Sequence, residues 1–220
     1  MDILGWGISR IGGASMIPVL SLDMEHPLEF VEKYGTFEHV KLGHNLAMEG
    51  RRILDELFKK GLKVILDLKF VDIPSTVERS IRGWDHPCVV GFTVHSACGI
   101  DAVRAALDAT NKRIFVVIKL TSIPGDLDDY IEMIEKFDNL GTDFVMPGKW
   151  ARKLRARIKG RFLVPGIRME AAMEDQKDVV TLEDVRGIAD YVVLGREVYR
   201  SADPALKIRK IKELIGCWNS

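Results

Sequence analysis

Cysteine is scarce in this chain. Its 220 residues hold three, Cys88, Cys98 and Cys217, an odd number with no CxxC spacing. That argues against a disulfide framework and against a cysteine zinc site, and it suits the reducing cytoplasm. Net charge is also missing, because 32 Lys and Arg balance 32 Asp and Glu. A chain without a basic field has no general means of holding nucleic acid or an acidic membrane, although a local basic pocket for one phosphate stays open. No apolar run approaches the roughly 20 residues of a membrane span. The five histidines fall at no metal-ligand spacing, and no Ser/His/Asp set stands out. No metal is therefore expected. Residues 1–15 carry four glycines and a single basic residue, Arg10, which does not make a secretory signal. They are expected to be an extension, disordered or non-native, or else a short helix closing the bottom of the fold.

From residue 16 to 220 the chain repeats. Short apolar runs begin at Ile17, His39, Lys63, Val89, Ile114, Asp143, Phe162 and Asp190, at intervals of about 25 residues. Amphipathic stretches separate them: 27–34, 47–60, 75–84, 101–110, 126–140, 149–159, 181–187 and 203–215. Ser75 is placed to cap the third of these, and Gly61 to stop the second. Eight strands alternating with helices predict parallel pairing and a single-domain (β/α)₈ barrel. An open doubly wound sheet is the structural alternative, but no GxGxxG follows the first strand.

In that fold the chemistry sits at the C-terminal ends of the strands. Reading only those ends gives Asp23, Lys41, Asp67 with Lys69, His95, Thr121 with Ser122, Pro165 to Arg168, and Gly195 with Arg196. Asp67 and Lys69 are two apart and share one face of a strand. Lys41 is on the neighbouring strand, so alternating charges favour each other's ionised forms. Unpaired charge in a buried parallel strand is expensive, which sets this group apart from a surface ion pair. The last two strand ends combine glycine with arginine, a pattern suited to a phosphate, and Gln176 in the following polar loop is placed to reach over it. His95 either lines the pocket or packs as a neutral ring.

The stretch DLKFVDIPSTV (67–77) resembles orotidine 5′-phosphate decarboxylase, whose pattern there is DLKxxDIPxT. The resemblance runs from about Met16 to the C-terminus and includes SLD (Asp23), VKLG (Lys41), TVH, LTS, PGIR with a later DQ (Arg168, Gln176), and LGR (Arg196). Val71 departs from it, since many members carry His there. The family implies conversion of orotidine 5′-monophosphate to uridine 5′-monophosphate and CO₂ without metal or cofactor. It implies Lys41, Asp67, Lys69 and Asp72 as a charged tetrad, with Lys69 protonating C6. It further implies a homodimer in which Asp72, Ile73 and Thr76 reach the partner's site. Asp23 and Lys41 would hold the ribose, Thr121 and Ser122 the pyrimidine, and Arg168, Gln176, Gly195 and Arg196 the phosphate, with Pro165 also touching substrate. Two rivals remain open: a magnesium-dependent sugar-phosphate lyase or decarboxylase of the same suprafamily, and a non-catalytic nucleotide-binding barrel.

Overall fold

The computed structural model describes residues 15–120, 123–169 and 180–219. The expected extension therefore falls almost wholly outside the described residues, as do Thr121, Ser122 and Gln176. The strands are β1 (Ile17–Ser21), β2 (His39–Leu42), β3 (Lys63–Phe70), β4 (Val89–His95), β5 (Arg113–Val117), β6 (Asp143–Val145) and β7 (Phe162–Val164). A short pair follows, β8 (Ile167–Arg168) with β9 (Val180–Thr181), and then β10 (Tyr191–Leu194). The helices are α1 (Pro27–Tyr34), α2 (Leu46–Glu49), α3 (Arg52–Lys59), α4 (Pro74–Trp84), α5 (Gly99–Ala109), α6 (Ile131–Asn139), α7 (Gly148–Leu154), α8 (Arg196–Tyr199) and α9 (Pro204–Asn219).

Eight strands close a parallel barrel in the order β1-β10-β7-β6-β5-β4-β3-β2. This is the (β/α)₈ barrel that the repeat predicts. Strand alternation divides the core in two. One set of side chains, including Leu20, Leu42, Leu66, Phe92, Val116 and Phe144, faces the helices in the large outer core. The other set, Val19, Ile65, Phe115, Leu163, Tyr191 and Val193, fills the barrel itself. The Tyr191 ring meets Phe115 edge-on at 5.5 Å, and His39 meets Tyr191 at 6.2 Å. Gly91 makes room for this plug, because a Cβ there would stand 2.7 Å from the Phe115 ring. Truncating a plug ring such as Phe115 to Ala would cost about 3–5 kcal/mol in transfer and cavity terms.

Three local expectations change. The helix expected over 47–60 breaks into α2 and α3, because Gly50 takes a left-handed φ of 67°. Ser75 does not cap α4. Ile73 holds the cap position, and Pro74 opens the helix where its missing N–H is harmless. The helix expected over 181–187 is β9 followed by a 3₁₀ turn at Glu183–Val185. There Asp184 Oδ2 accepts both the Thr181 N–H (2.9 Å) and the Thr181 hydroxyl (2.7 Å). Such side-chain bonding competes with the helical ladder.

The strand starts form a floor built from ion pairs. Arg113 Nη1 meets Asp143 Oδ2 at 2.7 Å, and Arg155 Nη1 meets Asp190 Oδ2 at 3.0 Å. Each acid also accepts a backbone N–H at the start of β7: Arg161 N to Asp143 Oδ1 at 2.8 Å, and Phe162 N to Asp190 Oδ2 at 2.9 Å.

Candidate active site

The inward rows of the strands leave the apolar plug and become polar at the mouth. On β1, Val19 is followed by Ser21 and then Asp23; on β2, His39 by Lys41; on β3, Ile65 by Asp67. Ser21, Asp23, Lys41 and Asp67 line a cleft of about 710 Å³ together with Lys69, Lys119, Pro165, Gly166, Arg168, Gly195 and Arg196. The site is therefore an extension of the same alternation that packs the barrel.

Asp67 is the centre of the array. It is 8% exposed, as is Lys41. Its Oδ2 takes Lys41 Nζ at 2.8 Å, and its Oδ1 takes Lys69 Nζ at 2.8 Å. The Thr93 hydroxyl donates to the same Oδ1 at 3.0 Å. Lys41 also reaches Asp23 Oδ2 at 3.0 Å, and Ser21 Oγ donates to that oxygen at 2.5 Å. Burial pushes the Asp67 carboxyl up, but Lys41 and Lys69 outweigh it and the pKa is lowered. Burial pushes the Lys41 ammonium down, but Asp67 and Asp23 outweigh it and the pKa is raised. Asp67 and Lys41 are therefore both held ionised, so the mouth carries fixed charge in a partly dry space.

Lys69 reaches this position through a bulge. Leu66 pairs with Phe92, but the next pairing is Phe70 with Val94, so β3 spends four residues where β4 spends two. Lys69 takes a left-handed φ of 49°, which costs a non-glycine residue roughly 1–2 kcal/mol. Its N–H donates to Thr93 Oγ1 at 2.8 Å. Thr93 thus holds the backbone of Lys69 and the carboxylate of Asp67 at once. Alternation alone puts Asp67 and Lys69 on one face, but it does not reveal the bulge or the part of Thr93. The sequence itself shows only a threonine in a largely apolar strand, and the structure buries it fully.

Arg168 stands on β8, which pairs with β9, Ile167 opposite Val180 and Arg168 opposite Thr181. Gly195 and Arg196 follow β10 and open α8. Asp72, Ile73 and Thr76 do not line the cleft of their own chain. The Asp72 carboxylate accepts the Ile73 N–H at 2.7 Å and is exposed. Beside it Val71 and Ile73 are 57% and 64% exposed, an apolar strip at the rim. His95 packs instead of lining the cleft: its Nδ1 accepts the Ala97 N–H at 3.1 Å, and burial, then the nearby Lys69, lowers its pKa. Lys119, Ser21, Glu197 and Tyr199 line the cleft and were not singled out by sequence. Among the described residues no three His, Cys, Asp or Glu side chains are grouped to hold a metal ion, and no helix is long and apolar enough to cross a membrane.

Residues 16–211 match the model of the orotidine 5′-phosphate decarboxylase / HUMPS family. The chain belongs to this family. Orotidine 5′-phosphate decarboxylase of Thermotoga maritima is 62% identical over 199 residues, which cover 90% of this chain and 99% of that protein. The Lactococcus lactis protein of the same name, strain MG1363, is 31% identical over 89% of this chain and 96% of its own. A crystal structure of the T. maritima decarboxylase superposes with a TM-score of 0.83 at 59% identity, over 90% of this chain and 98% of that one. A Lactobacillus acidophilus structure, 23% identical with a TM-score of 0.72, shares the fold. In this barrel the charged strand ends Lys41, Asp67 and Lys69 form one connected array.

Proposed function

We propose that this chain is a carboxy-lyase that converts orotidine 5′-monophosphate to uridine 5′-monophosphate and CO₂, in pyrimidine nucleotide synthesis in the cytoplasm. One observation carries the reading: a Lys41–Asp67–Lys69 ion array sits in the barrel mouth of a chain 62% identical to a named decarboxylase. The C6–carboxylate bond breaks and leaves its electron pair on C6, where no conjugated sink can take it. Fixed positive charge must therefore stand where negative charge develops. Lys69 supplies that charge and then donates a proton to C6, and its neutral amine regains one from solvent. Asp67 holds Lys69 in place. Its own charge faces the substrate carboxylate, which raises the bound ground state. Asp23 and Lys41 hold the ribose hydroxyls, and Thr121 and Ser122 the pyrimidine. Arg168, Gln176, Gly195 and Arg196 hold the phosphate, whose binding energy orients the ring, and Pro165 lines the substrate cleft. Residues 16–220 form the catalytic barrel and 1–15 an appendage, in line with a family match that starts at residue 16.

The active unit in this reading is a homodimer. Asp72, Ile73 and Thr76 enter the partner's site, and Val71 and Ile73 are covered on assembly. Their exposure at the rim, away from their own cleft, supports it. Mixing inactive Lys69→Ala with inactive Asp72→Ala protein should restore turnover, because mixed dimers contain one intact site. Full activity of a sedimenting monomer would overturn the sharing.

The activity itself is tested by the ultraviolet change of orotidine 5′-monophosphate with EDTA present. Wild type should convert it, and Lys69→Ala should be slower by about 10⁴-fold while still binding uridine 5′-monophosphate. Activity lost with EDTA and restored by Mg²⁺ would move the reading to the sugar-phosphate branch of the same family. Binding without turnover by wild type would make the barrel a nucleotide receptor.

A further inference from the structure

The cleft contains a cation that this reading leaves without a task. On β5 the inward row is Phe115, then Val117, then Lys119 just past the strand end. Phe115 is in the barrel plug, Val117 is buried and lines the cleft, and Lys119 lines the cleft above it. The row thus emerges from the core into the site as an ammonium. Among the described residues, three cleft cations have no carboxylate within ion-pair distance: Arg168, Arg196 and Lys119. The two arginines suit a phosphate. Lys119 has neutral contacts only. Its Nζ donates to the Ile123 carbonyl and stands 5.5 Å from the centre of the Trp150 ring. Contacts of this kind hold an ammonium without neutralising it, so it remains available to a ligand oxygen.

The barrel order says which part of a nucleotide it would meet. Going round from β1, β5 is the fourth strand in either direction. Lys119 therefore follows the strand that stands opposite β1 across the mouth. The phosphate grip stands on β7, β8 and β10, the ribose contacts on β1 and β2, and the Lys69 ammonium on β3. A nucleotide held at those three places has its base directed towards β4 and β5.

We propose that Lys119 is a specificity-determining residue that hydrogen-bonds a carbonyl oxygen on the edge of the pyrimidine ring remote from the ribose. The inference rests on the nucleotide reading of the site. The Lys119 Nζ swings from the Ile123 carbonyl to the base, a move its flexible stem permits. A hydrogen bond from a charged donor to a partly buried carbonyl adds affinity for the base, and adds it equally to substrate and product.

The test compares ligands with and without a base on wild type, Lys119→Ala, Lys119→Gln and Lys119→Arg. Uridine 5′-monophosphate affinity should fall about 10- to 100-fold in the Ala and Gln variants, with a similar rise in KM and a much smaller change in kcat. Ribose 5-phosphate affinity should not change, and Lys119→Arg should recover part of the loss. Equal weakening of both ligands would make Lys119 a tether of the loop at Ile123 and overturn the proposal. Unchanged nucleotide affinity in both variants would overturn it as well. If wild type binds uridine 5′-monophosphate no better than ribose 5-phosphate, the inference falls with the nucleotide reading. If it binds the nucleotide better but does not decarboxylate, the decarboxylase reading falls alone, and the variants still decide the role of Lys119.

Discussion

The two ends of the barrel use the same groups for opposite purposes. At the floor, Asp143 and Asp190 each pair with an arginine and also accept a backbone N–H of the adjoining strand. At the mouth, among the described residues, the partners of Asp23 and Asp67 are side chains: Ser21, Lys41, Lys69 and Thr93. An acid tied to the main chain staples two strands together and cannot change partners without unpairing the sheet. An acid tied to side chains can change partners when a charged ligand arrives. Among these four acids, the source of the hydrogen bonds separates the structural carboxylates from those at the site.

Among variants that compare the acids of the two ends, the largest effect should come from Asp67→Asn. It removes the anion between two lysines, leaves Lys41 half-compensated, and should lower kcat by about 10³-fold. Breaking a buried pair also costs about 3–5 kcal/mol, to be read from urea unfolding. A variant with near wild-type turnover would erase the distinction between the two ends. Next is Asp143→Ala at the floor. It leaves the Arg161 N–H and the Arg113 guanidinium unpaired and should cost about 1–3 kcal/mol. Thermal unfolding should then drop by about 2–4 °C per kcal/mol, with kcat unchanged.

The mouth should also be visible in the pH dependence of stability. Asp67 has a lowered pKa. Its stabilisation is complete above the ordinary carboxylate value of about 3.9 and is lost as pH falls through the depressed one. Lys41 has a raised pKa. Its stabilisation is complete below the ordinary value of about 10.4 and is lost as pH rises through the raised one. Comparing melting curves of wild type and Asp67→Asn should show a flatter acid limb in the variant. Ser21→Ala is the smallest change. It removes one donor to Asp23 and should raise KM by about tenfold or less, with stability within about 1 kcal/mol.

The alternation of apolar and polar residues made the barrel and most of its mouth legible. Val19–Ser21–Asp23 and Ile65–Asp67 can be read as rows before any coordinates exist, because period two sets the face and burial makes the charge conspicuous. Lys119 belongs to such a row and was missed, because the polar pair Thr121 and Ser122 just beyond it drew the strand end two residues too far. The left-handed Lys69 and the bulge beneath it depend on a contact with Thr93, 24 positions away, which no local pattern encodes. The Thr181–Asp184 turn was misread because its apolar spacing suits a helix, while two side-chain bonds decide against one.

The plug of Val19, Ile65, Phe115, Leu163, Tyr191 and Val193 has a kinetic consequence. It makes the barrel a vessel with a single neck. Substrate, CO₂ and nucleotide product must share one passage, so a site still holding product cannot admit the next substrate from behind. Inhibition by uridine 5′-monophosphate is then expected to be competitive with substrate in steady-state kinetics.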